Sequence, residues 1–253
     1  MTERKYHVGL AQGDVGEYVL TPGDPFRTAI IAKFLDGARE MVWSREYRTF
    51  TGSVNGTRVS TTSSGIGGPS AAIMVEELKD LGVHTFLRVG TCGAAQPGIR
   101  IGDLIIATGS VRSEGTPDGY VPREFPAISD HDLVSACVES ATRAGVAHHK
   151  GIIRSVDALY SDLLPETMPR GARERSDLEM WSRAGVIAND MESSTIMVVA
   201  SIRKLRACSI LLVTDELGAG EIQHHDPSYM ERMLKVAIGA IAIQIERDHA
   251  APR

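Results

Sequence analysis

The sequence predicts an α/β protein that folds as a single domain over residues 1–253. Six short apolar or β-branched runs recur along the chain, and a longer segment of helical period follows most of them. With 253 residues and 43% hydrophobic content, the chain can bury one full core, and neither an internal repeat nor a low-complexity linker divides it. The six runs are EYVLTP, TRVSTTSS, HTFLRVG, DLIIATG, KGIIRS and CSILLVT.

Two helices can be placed from their apolar stripes and end signals. The first carries a stripe of apolar residues at helical spacing over residues 71–81 and stops at Gly82. The second begins with Asp226 as N-cap and Pro227 at the first helical position, and its apolar face continues to Ile245. We expect the first helix to cover the sheet and the second to close the core.

Two segments lack a strong periodicity and are predicted to be long loops. They span residues 112–130 and 157–176. Loops of this length are often binding segments or lids, although surface padding is an equally good interpretation of the pattern.

Composition and charge exclude several classes of protein. A net charge of -5 and a pI near 5.9 leave no basic surface for a nucleic-acid backbone, so no nucleic-acid partner is expected. The amino terminus has charges but no apolar segment after them, so neither export nor membrane insertion is expected. Cys92, Cys137 and Cys208 are widely spaced and form no C-x-x-C pair, which is typical of reduced thiols in the cytoplasm.

An arginine and a glycine turn occur together in PGDPFR, residues 22–27. Gly23 would let a backbone N–H approach an anion closely, and Arg27 would add a charge-assisted contact. The same letters also describe an ordinary turn, which turn chemistry alone favours.

Two further arginine-bearing stretches could serve the same anion. In FLRVGTCGA, Arg88 stands inside an apolar strand before a glycine turn that holds Thr91, and it must be paired either by a bound anion or by an acidic side chain. In SREYRTF, Arg45 or Arg48 could reach an anion or remain a solvated charge. Together the three stretches suggest an oxyanion pocket.

Two carboxylate motifs follow apolar runs. In NDMESST, Glu192 could cap the next helix, or it could accept hydrogen bonds from two ribose hydroxyls if both of its oxygens are free, with Met191 as an apolar wall. In SILLVTDEL, Asp215 and Glu216 end a strand, either because the chain turns there or because one of them donates a proton.

The motifs together resemble the nucleoside phosphorylases, in the branch that contains bacterial uridine phosphorylases and hexameric purine nucleoside phosphorylases. The resemblance runs from about His7 to about Asp248 and is densest before Pro126. It implies a three-layer α/β/α fold with a central mixed, partly barrel-like sheet. It also implies an enzyme in which a nucleoside and inorganic phosphate give a free base and ribose 1-phosphate, with no required cofactor. The motifs are HVGL, PGDPFR, SREYRTFTG, SSGIGGPSAAIMVEEL, FLRVGTCGAAQPGIRIGDLIIATGSVR and NDMESS.

The resemblance also implies residue roles and an assembly. The site would be shared between two subunits of a dimer, and such dimers would form a homohexamer. The implied phosphate ligands are Gly23, Arg27, Arg88 and Thr91, with Arg45 from the neighbouring subunit. The implied ribose ligands are Met191 and Glu192, with His7 from the neighbour; Arg88 and Asp215 are the implied catalytic residues.

The base-binding residues depart from the uridine pattern. Leu159 and Tyr160 occupy the expected base-contacting positions, but Leu163 and Pro165 stand where the uracil-reading glutamine and arginine would be. Asp215 aligns with the acid that protonates a purine in the purine branch. Purine nucleosides are therefore predicted marginally ahead of uridine.

Other departures keep rival interpretations open. Asp190 replaces the first glutamate of the family's Glu-Met-Glu triplet, and no arginine that would assist Asp215 is evident near Ser228. A nucleosidase, which uses water in place of phosphate, and a non-catalytic nucleoside-binding protein are the alternatives. Glu216 is predicted to be an outward-facing turn residue.

A potassium site between subunits is a further implication of the resemblance. Its ligands would be Glu46, the main-chain carbonyl of Ile66, and Ser70. All three residues could equally serve in capping and packing.

Overall fold

The structure is a computed structural model that describes residues 4–216 and 226–250. These residues form ten strands and seven α-helices, with two short 3-10 turns at Thr116–Gly119 and Pro165–Thr167. The strands are β1 (Tyr18–Thr21), β2 (Asp36–Ser44), β3 (Tyr47–Val54), β4 (Thr57–Thr62), β5 (Thr85–Ala94), β6 (Leu104–Ser113), β7 (Ala127–Ile128), β8 (His148–Val156), β9 (Ala188–Asp190) and β10 (Arg206–Asp215). The helices are α1 (Pro25–Ala32), α2 (Gly68–Lys79), α3 (His131–Arg143), α4 (Leu159–Leu163), α5 (Gly171–Arg183), α6 (Ser193–Ile202) and α7 (Pro227–Ala250).

The sheet closes on itself at one end and stays open at the other. β5 pairs in parallel with β1 and β10 and antiparallel with β9, while β6 and β8 complete a ring of strands from β10 back to β9. β1 pairs with the first half of β5, and from there strands β1, β4, β3 and β2 extend as an open sheet, while β7 adds to β6. The predicted mixed, partly barrel-like sheet is confirmed.

Helices cover both faces of the sheet, as a three-layer α/β/α fold requires. Successive residues of a strand point to opposite faces. Leu87 and Val89 of β5 pack in one apolar cluster with α3 and α7, whereas Phe86 packs in another with α2 and α6. The predicted fold class is therefore confirmed, and the strand ends between the layers are left free to carry polar groups.

Both predicted helices form, with the predicted end signals. Gly82 has a positive φ of 94°, and it follows the buried Leu81 just after α2. The Asp226 carboxylate accepts a hydrogen bond from the backbone N–H of Ser228 at 2.8 Å, which satisfies one free donor at the start of α7. Among the described residues, no helix combines the length and the apolar content needed to cross a membrane.

The loop prediction for residues 157–176 is wrong, because this segment contains α4 and the start of α5. Tertiary contacts stabilise these helices, and their sequence carries no apolar stripe that would predict them. Asp162 forms an ion pair with Arg154 of β8 at 2.6 Å. A Cβ on Gly171 would lie 1.8 Å from the carbonyl oxygen of Pro165, so only glycine allows this approach. The other predicted loop, residues 112–130, holds only the 3-10 turn Thr116–Gly119 and β7 between β6 and α3.

A charged contact fastens the last helix to the sheet. The Asp248 carboxylate of α7 accepts hydrogen bonds from Arg206 at 2.5 Å, Tyr18 at 2.6 Å and Gln244 at 3.0 Å. Burial opposes the ionisation of Asp248, but the hydrogen bonds outweigh it and lower its pKa to about 2.

Asp248→Asn is expected to reduce the free energy of unfolding at pH 7 by roughly 1 kcal/mol, because the pair is partly exposed and screened. A carboxylate with a lowered pKa stabilises the fold above its unfolded pKa of about 3.9, and this stability is lost as the pH falls toward 2. Urea unfolding should therefore show a constant difference from the wild type above about pH 5 that shrinks below it. Glu246→Gln, two positions earlier on the same helix, is the control. A difference that persists undiminished below pH 3 would contradict the assignment.

Candidate active site

A cavity of about 1180 Å³ opens at the carboxyl ends of β1, β5, β8, β9 and β10. In sheets with parallel strands this edge is the usual place for ligands, because loops and helix starts converge there. The lining includes ten residues that the sequence singles out as ligands of a substrate or ion: Gly23, Arg27, Glu46, Ile66, Arg88, Thr91, Leu159, Met191, Glu192 and Asp215.

The PGDPFR stretch is the start of helix α1, where it meets the cavity. Asp24 is the N-cap, and its carboxylate accepts from the N–H of Phe26 at 2.8 Å, with Pro25 as the first helical residue. Arg27 lies in the first turn and lines the cavity. Within the described part of the chain its guanidinium forms no ion pair closer than 4.0 Å. Burial lowers the pKa of Arg27; Asp24 opposes that effect and the positive charge of Arg88 adds to it. An anion bound in the cavity would offset both the cost of burying the Arg27 charge and the repulsion between Arg27 and Arg88.

Arg88 is held by two carboxylates. Its Nε donates to Asp190 at 2.8 Å, and its Nη2 lies 2.5 Å from Glu192, with only 5% of the Arg88 side chain exposed. Its Nη1 is buried and has no partner among the described residues. The acidic pairing that the sequence offered as an alternative to an anion is thus present, and one donor nitrogen remains unused.

Glu192 has both oxygens engaged. Oε1 accepts from the backbone N–H of Gly67 at 2.7 Å, and Oε2 contacts Arg88. The condition that both oxygens be free is therefore not met, although each keeps one lone pair for a ligand hydroxyl. Burial raises the pKa of Glu192; Arg88 counteracts this and Asp190 reinforces it. The helix-capping role considered for Glu192 belongs to Asp190, which accepts from the N–H of Ser193 at 3.0 Å.

Asp215 ends β10 at an irregularity in its pairing with β5, where Thr214 is skipped. Burial raises the pKa of Asp215, and a hydrogen bond from the Thr214 hydroxyl at 3.1 Å only partly offsets this. A Cβ on Gly93 would lie 2.3 Å from Asp215 Oδ2, so glycine makes room for the carboxyl group. The raised pKa suits a carboxylic acid that donates a proton.

Glu216 does not face outward as predicted. It lines the cavity beside Asp215, and its Oε1 accepts a long hydrogen bond of 3.4 Å from the N–H of Ile101. The chain therefore does not turn away directly after Asp215, and both carboxylates stay at the cavity.

Three residues are predicted to contact the base, and besides Asp215 the structure brings only one of the other two to the cavity. Leu159 lines it, whereas Tyr160 is 63% exposed and lies outside the lining. Consecutive residues of a helix such as α4 point about 100° apart, so the two cannot share a wall. Six other residues of α4, α5 and the turn between them line this end, and of these only Leu163 and Pro165 were singled out in the sequence, as departures from the uracil-reading pattern. The six are Asp162, Leu163, Pro165, Glu166, Leu178 and Trp181.

His7 and Arg45 lie outside the cavity of their own chain. His7 Nδ1 is 2.6 Å from the Glu77 carboxylate, which also accepts from the backbone N–H groups of His7 and Val8. Arg45, at the turn between β2 and β3, has a positive φ of 55° and is exposed, with its guanidinium 5.8 Å from the ring centre of Tyr6.

Of the three residues expected to hold potassium, Glu46 and Ser70 are in direct contact, and Glu46 and Ile66 share the cavity lining. Ser70 Oγ lies 2.9 Å from Glu46 Oε1 and 2.5 Å from the carbonyl oxygen of Ser64, to which it can donate. Glu46 and Ile66 line the cavity and Ser70 does not, while the Ile66 side chain is 79% exposed. Oxygen ligands of this kind suit a hard monovalent cation, and the Ser70 proton points away from Glu46 when Ser64 accepts it.

The fold and this cavity define a class of enzyme. The family model of the phosphorylase superfamily matches residues 17–243, and the chain belongs to that superfamily. This confirms the resemblance to nucleoside phosphorylases, which are pentosyltransferases with phosphate as co-substrate and no required cofactor.

Individual relatives align over most of the chain. The uridine phosphorylase of Treponema pallidum is 40% identical over 252 residues, which cover 98% of this chain and 96% of the relative. The uridine phosphorylase of Thermococcus kodakarensis is 46% identical, with 86% and 81% covered. The guanosine phosphorylase of Halorubrum lacusprofundi is 36% identical, with 93% and 97% covered.

Proposed function

We propose that the protein catalyses the reversible phosphorolysis of ribonucleosides in nucleoside salvage, with purine nucleosides marginally preferred over uridine. The observation that carries this proposal is the convergence of three groups in one cavity: Arg27, which forms no ion pair with the described residues, the Glu192 carboxylate, and Asp215 with its raised pKa. An anion, a sugar and a leaving base are the ligands that these three groups suit.

In the proposed reaction a phosphate oxygen bonds to C1′ of the ribose while the bond from C1′ to the base nitrogen breaks. The sugar becomes positive in the transition state, and the electron pair leaves with the base. Gly23, Arg27, Arg88 and Thr91 would fix the phosphate against the sugar, and Met191 and Glu192 would hold the ribose. Protonated Asp215 would give its proton to the departing purine, which releases a neutral base and ribose 1-phosphate.

The preference for purines rests on the base end of the cavity. Leu163 and Pro165 line the place where a uracil reader would need an amide and a guanidinium, and an unpaired polar group on a buried base costs about 1 to 3 kcal/mol. Asp215 instead offers a proton donor that only a purine uses at N7. Relatives named for uridine and for guanosine both align with the chain, so identity alone does not choose between the bases.

The active site is proposed to be shared between two subunits, with His7 and Arg45 each reaching the cavity of a neighbour. Their exclusion from their own cavity supports this arrangement, and so do exposed aromatic side chains on the same side: Tyr6 is 79% exposed, Phe26 66% and Trp43 45%. Such dimers would assemble into a homohexamer. Glu46, Ile66 and Ser70 would hold a potassium ion where subunits meet, and its charge would add to the field around the phosphate.

The chain is also proposed to form one domain over residues 1–253 and to act in the cytoplasm. Its three cysteines, all buried and unpaired, are compatible with a reducing compartment.

Base preference can be tested with a panel of inosine, guanosine, adenosine, uridine and thymidine, each supplied with phosphate while release of the free base is followed. The proposal predicts the highest kcat/KM for a purine ribonucleoside. A uridine value above every purine value would make the protein a uridine phosphorylase. Tight nucleoside binding by calorimetry without turnover of any substrate would make it a binding protein.

Gly93→Ala is expected to lower kcat for inosine at least about tenfold with little change in melting temperature. The new methyl group must displace the Asp215 carboxyl group, which is the end of a movable side chain, so the acid is misplaced while the core is preserved. Gly119→Ala is the matched control, because a Cβ there meets no described atom within 4 Å. Unchanged inosine turnover in Gly93→Ala would contradict the role of Asp215.

A further inference from the structure

We propose that Asp190 is a positioning residue for the recognition of ribose: it fixes Arg88, and Arg88 in turn fixes the Glu192 carboxylate that reads the sugar hydroxyls. This inference rests on the proposed role of Glu192 in ribose binding. Asp190 itself need not touch the substrate.

The Asp190 carboxylate is immobilised from three elements. Its Oδ1 accepts from the Ser155 hydroxyl of β8 at 2.6 Å. Its Oδ2 accepts from Arg88 Nε of β5 at 2.8 Å, and from the N–H and the hydroxyl of Ser193 at the start of α6 at 3.0 and 2.5 Å. None of the Asp190 side chain is exposed. A fifth, longer bond of 3.4 Å comes from the backbone N–H of Glu192, and a carboxylate with five donors around it keeps one orientation.

Arg88 transmits that orientation to Glu192. Nε and Nη2 lie on one edge of the planar guanidinium, and each of them meets a different carboxylate. Once Asp190 holds Nε, the direction of Nη2 is fixed as well. A Cβ on Gly90 would lie 2.8 Å from both Cζ and Nη2 of Arg88, so the backbone leaves the guanidinium only this narrow space.

Glu192 is then held at both oxygens. Arg88 binds Oε2, and the backbone N–H of Gly67 binds Oε1 at 2.7 Å. Two vicinal hydroxyls can be read together only if the remaining lone pairs keep a fixed direction. A carboxylate freed from Arg88 would rotate about its last torsion and lose the paired contact, even with its charge intact.

The competing interpretation is that Asp190 only caps helix α6. Asp190→Asn separates the two roles, because an amide oxygen can still accept from the backbone N–H of Ser193, and Ser193→Ala is the control that removes only the Ser193 hydroxyl bond and leaves the bond to Arg88 in place. Asp190→Asn keeps the shape of the side chain and removes the charge that attracts Arg88.

The test compares binding of inosine and 2′,3′-dideoxyinosine by calorimetry in phosphate-free buffer, so that no turnover is needed. Uridine and 2′,3′-dideoxyuridine replace these two nucleosides if uridine binds more tightly than inosine. We expect Asp190→Asn to lower the ratio of the two affinities about tenfold relative to the wild type, because the hydroxyl contacts are weakened. Ser193→Ala should keep the wild-type ratio. Arg88→Lys, which keeps the charge but can serve only one carboxylate, should lower the ratio as Asp190→Asn does and replaces that variant if it fails to fold.

A wild-type ratio retained in Asp190→Asn or in Arg88→Lys would overturn the proposal, as would an equal loss in Ser193→Ala. Equal affinity of the wild-type protein for both nucleosides would show that Glu192 does not bind the ribose hydroxyls, and it would overturn the inference as well. Phosphorolysis measured separately in the wild type shows whether the proposed function survives that result.

Discussion

Arg27→Ala is expected to raise the KM for phosphate about 100-fold, since it removes a charge-assisted contact from a half-buried site. The KM for the nucleoside should change much less. Because Arg27 forms no ion pair in the described part of the chain, the melting temperature should stay close to that of the wild type. Initial rates at varied phosphate concentration measure the first effect, and thermal unfolding measures the second.

Arg203→Ala provides the control for Arg27. Arg203 binds Glu76 at 2.7 Å and lies away from the cavity, so its loss should leave phosphate kinetics unchanged. A phosphate KM in Arg27→Ala within about twofold of the wild type would show that Arg27 does not contact the anion. Arg88 is a poorer probe of phosphate binding. Arg88→Ala would leave two buried carboxylates without a positive partner, which would lower the free energy of unfolding by about 3 to 5 kcal/mol. A loss of activity in that variant could then come from unfolding as well as from lost phosphate binding.

Asp215→Asn is expected to slow inosine phosphorolysis about 100-fold or more, and uridine phosphorolysis far less. The amide keeps the shape of the side chain but cannot give a full proton to the purine. Burial raises the pKa of Asp215, so the wild-type rate with inosine should fall as the pH rises through that raised value and the acid loses its proton. The variant should lack this fall. Both substrates are followed over a range of pH.

Asp103→Asn is the matched control for Asp215, since Asp103 binds His149 at 2.9 Å and lies outside the cavity. Equal losses for inosine and uridine in Asp215→Asn would count against a purine-specific acid. They would point to a general role of the carboxyl group in the site.

The parts of the fold that the sequence predicts are those in which burial dictates the pattern. Strands β5 and β10 run through the core, and helices α2 and α7 bury one full face, so their residues must be apolar at fixed spacing. Strand β2 is mostly exposed, and Gly171 is the only residue of α5 that is buried. Neither element therefore has a periodic apolar pattern to detect. A contact such as that of Gly171 with Pro165 is decided by three-dimensional packing, which propensities do not encode.

The same division holds in the site. Gly23, Arg27 and Asp215 are singled out by their place in the family's motifs, because turn chemistry alone does not separate them from ordinary turn residues. The partners that orient them are distant in the chain: Arg88 and Asp190 are 102 positions apart, and Asp162 meets Arg154 only because α4 folds back on β8. Asp190 was recognisable in the sequence as a departure from the family triplet. Its hold on Arg88 becomes visible only when β9 is placed beside β5.

The dependence of nucleoside cleavage on phosphate tests the central claim most directly. Inosine is incubated with the wild-type protein in phosphate-free buffer and then with added phosphate, and the sugar product is identified by chromatography. The account predicts no cleavage before the addition, and hypoxanthine with an equal amount of ribose 1-phosphate after it. Release of free ribose in the absence of phosphate would show that water is the nucleophile, and it would contradict the account.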